Sequence, residues 1–250
     1  MVYGFSLRIS GLTLSLSADS PELLDSVAEV VCIPGWVRQA WQPGDIDVRV
    51  EHRHEQWTLL CQGQQVGRAR TLAELQPCLE LHSHHQLAAR ALEDVYVHAG
   101  VVGIGGRALV VPGRSHAGKS TLIMALVQAG ATYYSDEFAV IRPDGSLAAF
   151  ARAVQLRHPE PGRVVLTRVE PPPLPFLQVA RIGYDERAGW AVEALSAGGA
   201  VMALLDNTVA ARRLGARATA ALARALWPGT HWQGTRGSAD EAARRILTEF

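Results

Sequence analysis

The sequence predicts an α/β domain over residues 89–250, preceded by a small β-rich N-terminal domain over residues 1–88. Three observations carry this reading. Residues 1 to about 70 alternate apolar and polar side chains with a period of two, as half-buried strands do. From Val95 the pattern becomes an apolar strand, a Gly-Gly turn, a second apolar strand, a glycine-bounded loop and an apolar helix. The chain has 250 residues, 48% hydrophobic and 19% charged, enough for one large domain with a smaller companion.

Tyr3–Ser17 alternates with a break near Gly11, which predicts two strands. Pro21–Val31 reads as a short helix, with Ser20 as its cap and Pro21 at the first helical position. Ile46–Glu51, Trp57–Gln62 and Val66–Arg70 alternate again, with a turn signal at Gln62-Gly63-Gln64. Thr71 caps a short helix over Thr71–Gln76, with Glu74 three residues on, and Pro77 is expected to end it. The cluster His82-Ser83-His84-His85 lacks an acidic or cysteine partner at ligand spacing and is expected to be the exposed start of a helix over Gln86–Glu93.

In the second region Val95–Val102 and Arg107–Val111 flank Gly105-Gly106, a hairpin turn. A helix runs from Lys119 to about Ala129, ended by Gly130. Thr132–Tyr134 is a short strand, and Phe138–Ile141 with Ser146–Phe150 forms a hairpin around Asp144-Gly145. The Pro-rich stretch 158–178 reads as a loop or extended segment and a candidate substrate lid. Ala200–Leu205 is a strand or the start of a helix. Ala216–Trp227 and Ser238–Thr248 are amphipathic helices, the second capped by Ser238.

Composition narrows the function classes. The formal net charge is zero, which disfavours nucleic acid as a partner. There is no run of about 18 apolar residues, so neither a spanning helix nor a membrane partner is expected. Cys32, Cys61 and Cys78 form no CxxC pair, which suits reduced thiols in the cytoplasm. A homo-oligomer is left open. Of the 24 basic residues Lys119 is the only lysine, and it stands inside the glycine-bounded loop.

That loop, Gly113-Arg114-Ser115-His116-Ala117-Gly118-Lys119-Ser120, matches G-x-x-x-x-G-K-[ST]. Glycines at its ends let backbone N–H groups point inward at phosphate oxygens, and the following helix, with Thr121 in its first turn, adds its positive end. Lys119 is placed to reach the β- and γ-phosphates of ATP, and the Ser120 hydroxyl to serve Mg²⁺. Mg²⁺ needs further oxygen ligands, and the nearest carboxylates are Asp136 and Glu137 at the end of the next strand.

The run from His98 to Ile141 resembles HPr kinase/phosphorylase and its smaller relatives, which share a P-loop nucleoside kinase-like fold with ATP-dependent phosphoenolpyruvate carboxykinases. The matching residues are His98 in Val97-His98-Ala99-Gly100-Val101, the phosphate loop, and the acidic pair in Tyr134-Ser135-Asp136-Glu137. The resemblance implies that Asp136 helps bind the metal, that Glu137 takes the proton from a serine hydroxyl, and that His98 assists. Two departures matter. The family's second acid is aspartate, where this chain has Glu137, and the glycine-rich signature with a further metal-linked glutamate is not visible among Glu160, Glu170, Asp185 and Glu186. The chain is more similar to small HPr-kinase-like proteins of bacterial peptide-modification clusters, including lasso-peptide kinases, through its strand-rich N-terminal part and the segment Leu205-Asp206-Asn207-Thr208-Val209-Ala210-Ala211-Arg212-Arg213.

Arg152 and Arg157, or Arg212 and Arg213, are candidates to meet the transferred phosphoryl, with ordinary surface arginines as the alternative. The expectation is therefore an ATP- and Mg²⁺-dependent kinase acting on a hydroxyl, first of all a serine of a peptide or protein. A small-molecule kinase, and an accessory nucleotide-binding protein with slow hydrolysis, are the alternatives.

Overall fold

A computed structural model describes residues 2–113, 118–156 and 162–250. The chain divides into two compact units, Met1–Glu93 and Asp94–Phe250. The boundary expected after residue 88 falls inside a helix that runs to Arg90, and the division lies a few residues beyond it.

The first unit begins with the hairpin β1 (Tyr3–Ile9) and β2 (Leu12–Ala18), followed by α1 (Pro21–Val31). The Ser20 hydroxyl accepts from Leu23 N–H and caps α1, with Pro21 in the first turn. Then come β3 (Arg38–Ala40), β4 (Ile46–Arg53), β5 (Gln56–Cys61), β6 (Gln64–Ala69) and α2 (Leu72–Arg90). The sheet order is β3-β1-β2-β4-β5-β6, with β2 and β4 parallel and the other pairs antiparallel. Leu14, Leu16, Ile46, Val48, Val50 and Leu59 are buried, as the alternation requires.

Two expectations about α2 are corrected. Thr71 caps it as expected, accepting from Glu74 N–H, but the helix runs straight past Pro77. Leu75, Leu79, Leu87 and Ala88 are buried along it, and this burial outweighs the one backbone bond that proline removes. The His82–His85 cluster is mid-helix, not an exposed start. Ser83 and His84 are buried, and His84 Nε2 lies 2.8 Å from the Val31 carbonyl, edge-on to Trp36. Ser83 and His84 are therefore packing residues of α2.

The second unit carries β7 (Val95–Ile104), β8 (Arg107–Pro112), α3 (Lys119–Gln128), β9 (Thr132–Ser135), β10 (Phe138–Ile141) and β11 (Leu147–Ala148). The small antiparallel pair β12 (Val154–Leu156) and β13 (Gly162–Val164) follows. Next are β14 (Leu177–Tyr184), β15 (Ala191–Leu195), α4 (Ala197–Leu205), α5 (Ala211–Leu214), α6 (Ala216–Ala225), β16 (His231–Arg236) and α7 (Ala239–Glu249). Among the described residues the main sheet has the order β11-β10-β7-β8-β14-β16-β15, with β9 also pairing β7. β8, β14 and β16 run parallel and the remaining pairs are antiparallel, so this unit is α/β with a mixed sheet.

The sheet is buried on both faces, and the period of two assigns the side chains. Val97, Ala99, Val101, Ala108 and Val110 pack toward α4 and α6, beside Ala203, Leu204, Ala218 and Leu222. Val102, Leu109, Val111, Ala180 and Ile182 face α3 and α7, beside Leu122, Leu126, Ala242 and Ile246. Gly100 lets α3 approach β7, since a Cβ there would stand 2.6 Å from Ile123 Cγ1.

The lid expected over 158–178 is corrected for its later part. Leu174 exchanges two backbone hydrogen bonds with Leu147, and the Tyr134 hydroxyl donates to the Pro172 carbonyl at 2.6 Å. Residues 172–174 are thus held to the sheet. Residues 158–161 lie outside the described residues.

Candidate active site

Of the expected site residues, His98, Gly113, Gly118, Lys119, Ser120, Asp136 and Glu137 lie where β7, β8, the start of α3 and the β9–β10 turn meet. Gly113 N–H donates to the His98 carbonyl at 3.4 Å, which brings the start of the loop beside β7. Arg114, Ser115, His116 and Ala117, expected to line the loop, lie outside the described residues. Gly118 caps α3 at φ 73°, a left-handed conformation that favours glycine. Thr121 is exposed on the first turn of α3.

Lys119 is the first residue of α3 and only 6% exposed. Its Nζ donates to the Gly113 carbonyl at 2.7 Å and lies 3.4 Å from His98 Nε2. Burial lowers its pKa below the ordinary 10.5, opposed by the charges of Glu137 and Asp136. His98 also stands 3.5 Å, Nδ1 to Oε1, from Glu137. The His98 ring thus lies between the Lys119 ammonium and the Glu137 carboxylate. Lys119, His98 and Glu137 therefore form a line of polar contacts.

The acidic pair is built by a local turn. The Ser135 hydroxyl accepts from the N–H groups of both Glu137 and Phe138, at 3.1 and 2.9 Å, and so bends the chain between β9 and β10. Asp136 is 3% exposed. The Ser120 hydroxyl donates to its Oδ2 at 3.2 Å, and the Tyr133 hydroxyl lies 3.2 Å from its Oδ1 and 2.8 Å from the Arg152 carbonyl. Burial raises the Asp136 pKa above 3.8. The Arg152 charge opposes the rise most, Glu137 adds to it, and the hydrogen bonds from Ser120 and Tyr133 also oppose it. The Tyr133 hydroxyl is itself pushed well above 10, by burial first and then by Asp136.

Arg152 joins the two acids. Its Nε lies 3.1 Å from Asp136 Oδ1, and its Nη2 lies 2.8 Å from Glu137 Oε2 and 3.3 Å from Asp136 Oδ2. The sequence marked Arg152 as a candidate for the transferred phosphoryl; here it is the counter-charge of the carboxylates. Arg157 lies outside the described residues, and Arg212 and Arg213 are exposed on α5. Tyr133 was missed, because a tyrosine in an apolar strand reads as core until its hydroxyl is seen against Asp136.

The residues expected to serve Mg²⁺ are Ser120, Asp136 and Glu137. Ser120 and Asp136 already converge, and Glu137 is next in the chain, which suits a cation that takes few protein oxygens and keeps water. Among the described residues no group of three or more His, Cys, Asp or Glu is arranged to hold a metal ion. Any Mg²⁺ here would depend on the Ser120 hydroxyl and on the phosphates it accompanies. No described helix is long and apolar enough to cross a membrane. No protein-family model matches the chain, and no curated protein matches it.

Proposed function

We propose that the chain is an ATP- and Mg²⁺-dependent kinase of the HPr-kinase-like, P-loop type, transferring the γ-phosphoryl group to a hydroxyl. The observation that carries this reading is the convergence of Lys119, Ser120, Asp136, Glu137 and His98 at one end of the sheet, each within 3.5 Å of a neighbour in the set.

In this reading the loop amides and Lys119 hold the phosphates, with the start of α3 aimed at them. Ser120 and Asp136, with Glu137 nearby, hold Mg²⁺, which neutralises the phosphate charge. Glu137 accepts the proton of the attacking hydroxyl, and His98, set between Lys119 and Glu137, orients it. Arg152 fixes both carboxylates so that they do not swing away as phosphate charge arrives.

The acceptor we favour is a serine of a peptide or protein. The glycine-rich signature of true HPr kinases is absent from the sequence, and an extended peptide can place a hydroxyl in line with few contacts. The free thiols Cys32, Cys61 and Cys78 suit an enzyme of the reducing cytoplasm.

The test is incubation with Mg-ATP and serine-containing peptides, including those encoded beside the gene, followed by mass spectrometry. A phosphate-sized gain that disappears when the serine is replaced by alanine supports the reading. Efficient phosphorylation of a small metabolite with no peptide modified would move the assignment to a small-molecule kinase.

A further inference from the structure

One buried cation beside this site has no part in the mechanism above. Arg236 ends β16 and is 2% exposed. Its Nη2 donates to the Gly118 carbonyl at 2.7 Å and its Nη1 to the Gly237 carbonyl at 2.9 Å. Its Nε is buried without a hydrogen-bond partner, and among the described residues no ion pair neutralises it. A buried guanidinium with no carboxylate is costly. This one bonds to Gly118, the residue that caps the positive end of α3, where a further positive charge is unfavourable until an anion arrives.

The neighbour of Arg236 explains the placement. Tyr184 ends β14 and is its direct cross-strand partner in the parallel β14–β16 pair. The guanidinium carbon lies 5.4 Å from the Tyr184 ring centroid, yet Tyr184 is 52% exposed. Both side chains press on the loop end. A Cβ added at Gly118 would stand 2.9 Å from Arg236 Nη2 and 3.0 Å from Tyr184 Cβ. β8, β14 and β16 are parallel, so their carboxyl ends share one edge of the sheet, where open α/β sheets bind ligands. A half-exposed tyrosine, with a buried cation 5.4 Å from its ring centroid, thus stands beside Gly118 at this edge of the sheet.

We propose that Tyr184, braced by Arg236, is the stacking platform for the nucleobase of the bound nucleotide, and that Arg236 is a positioning residue holding Gly118. The inference rests on the reading of Gly113–Ser120 as the phosphate site. Recognition by ring stacking is tolerant of base identity and follows stacking area, so purines are preferred to pyrimidines.

Titration calorimetry with Mg-ATP, Mg-GTP, Mg-UTP and inorganic tripolyphosphate, on the full chain and on Tyr184→Ala and Tyr184→Phe, tests it. The wild type is expected to bind ATP and GTP comparably, and UTP and tripolyphosphate more weakly. Tyr184→Ala should lose roughly tenfold or more in ATP affinity with tripolyphosphate affinity unchanged, and Tyr184→Phe should behave as wild type. Equal losses for ATP and tripolyphosphate, or no loss for either, overturn the platform. Wild-type binding of ATP no tighter than tripolyphosphate also overturns it, needs no variant, and leaves the phosphate-loop reading standing. Failure of the wild type to bind either ligand overturns both.

Discussion

Arg152 and Glu137 form an ion pair in the candidate active site, Nη2 to Oε2 at 2.8 Å, while the same guanidinium contacts Asp136. Removing Arg152 takes the guanidinium away from two adjacent carboxylates, one of them 3% exposed. Arg152→Leu is expected to cost about 3–5 kcal/mol of stability. Arg152→Lys should recover only part of it, because an ammonium cannot serve both acids with a planar fork. Urea unfolding of the three proteins decides this; a loss below about 1 kcal/mol in Arg152→Leu would show that the pair is solvated and weak.

The two acids are expected to separate by function. Glu137→Gln keeps the shape and the contact with Arg152 but cannot take a proton. Mg-ATP binding should persist while transfer slows by roughly 10²–10⁴. Asp136→Asn should chiefly weaken metal use, seen as a higher Mg²⁺ requirement. Wild-type transfer by Glu137→Gln would remove Glu137 from the role of base.

His231 gives a pH dependence remote from the acids. It is 1% exposed, its Nδ1 accepts from Val179 N–H, and burial lowers its pKa below 6.5. A depressed pKa means that the folded state binds fewer protons than the unfolded chain. Its contribution is therefore fully present above 6.5 and is lost as pH falls through the folded pKa. The slope over that window is at most about 1.4 kcal/mol per pH unit. His231→Asn, which keeps an acceptor but does not titrate there, should flatten this part of the stability–pH curve. An unchanged slope in the variant would assign the acid sensitivity to other groups.

Local signals in the sequence were the readable ones. The Ser20 and Thr71 caps, the turn at Gly105-Gly106 and the start of α3 at Lys119 depend on neighbours a few residues away. The candidate site was readable because Lys119, Asp136 and Glu137 are separated by one helix and one short strand. What escaped depends on distant packing. Pro77 looked like a stop until the buried face of α2 was set against the sheet. His84 looked exposed until the Val31 carbonyl was found beside it. β16 reads as His-Trp-Gln-Gly-Thr-Arg, with no apolar alternation, because His231 satisfies a buried backbone donor and Arg236 bonds to carbonyls. Tyr184 and Arg236 flank Gly118 from more than sixty residues away, and no spacing rule connects them.

The central claim is transfer of the γ-phosphoryl group through the loop around Lys119. Its most direct test follows labelled γ-phosphate from Mg-ATP into a stable product with the wild type and with Lys119→Ala. Lys119 is the only lysine of the chain, so no other ammonium can replace it. The account predicts a labelled phosphoester with the wild type, and none with a folded Lys119→Ala, which should also bind ATP more weakly. Label released only as inorganic phosphate by the wild type, or equal transfer by Lys119→Ala, would contradict it.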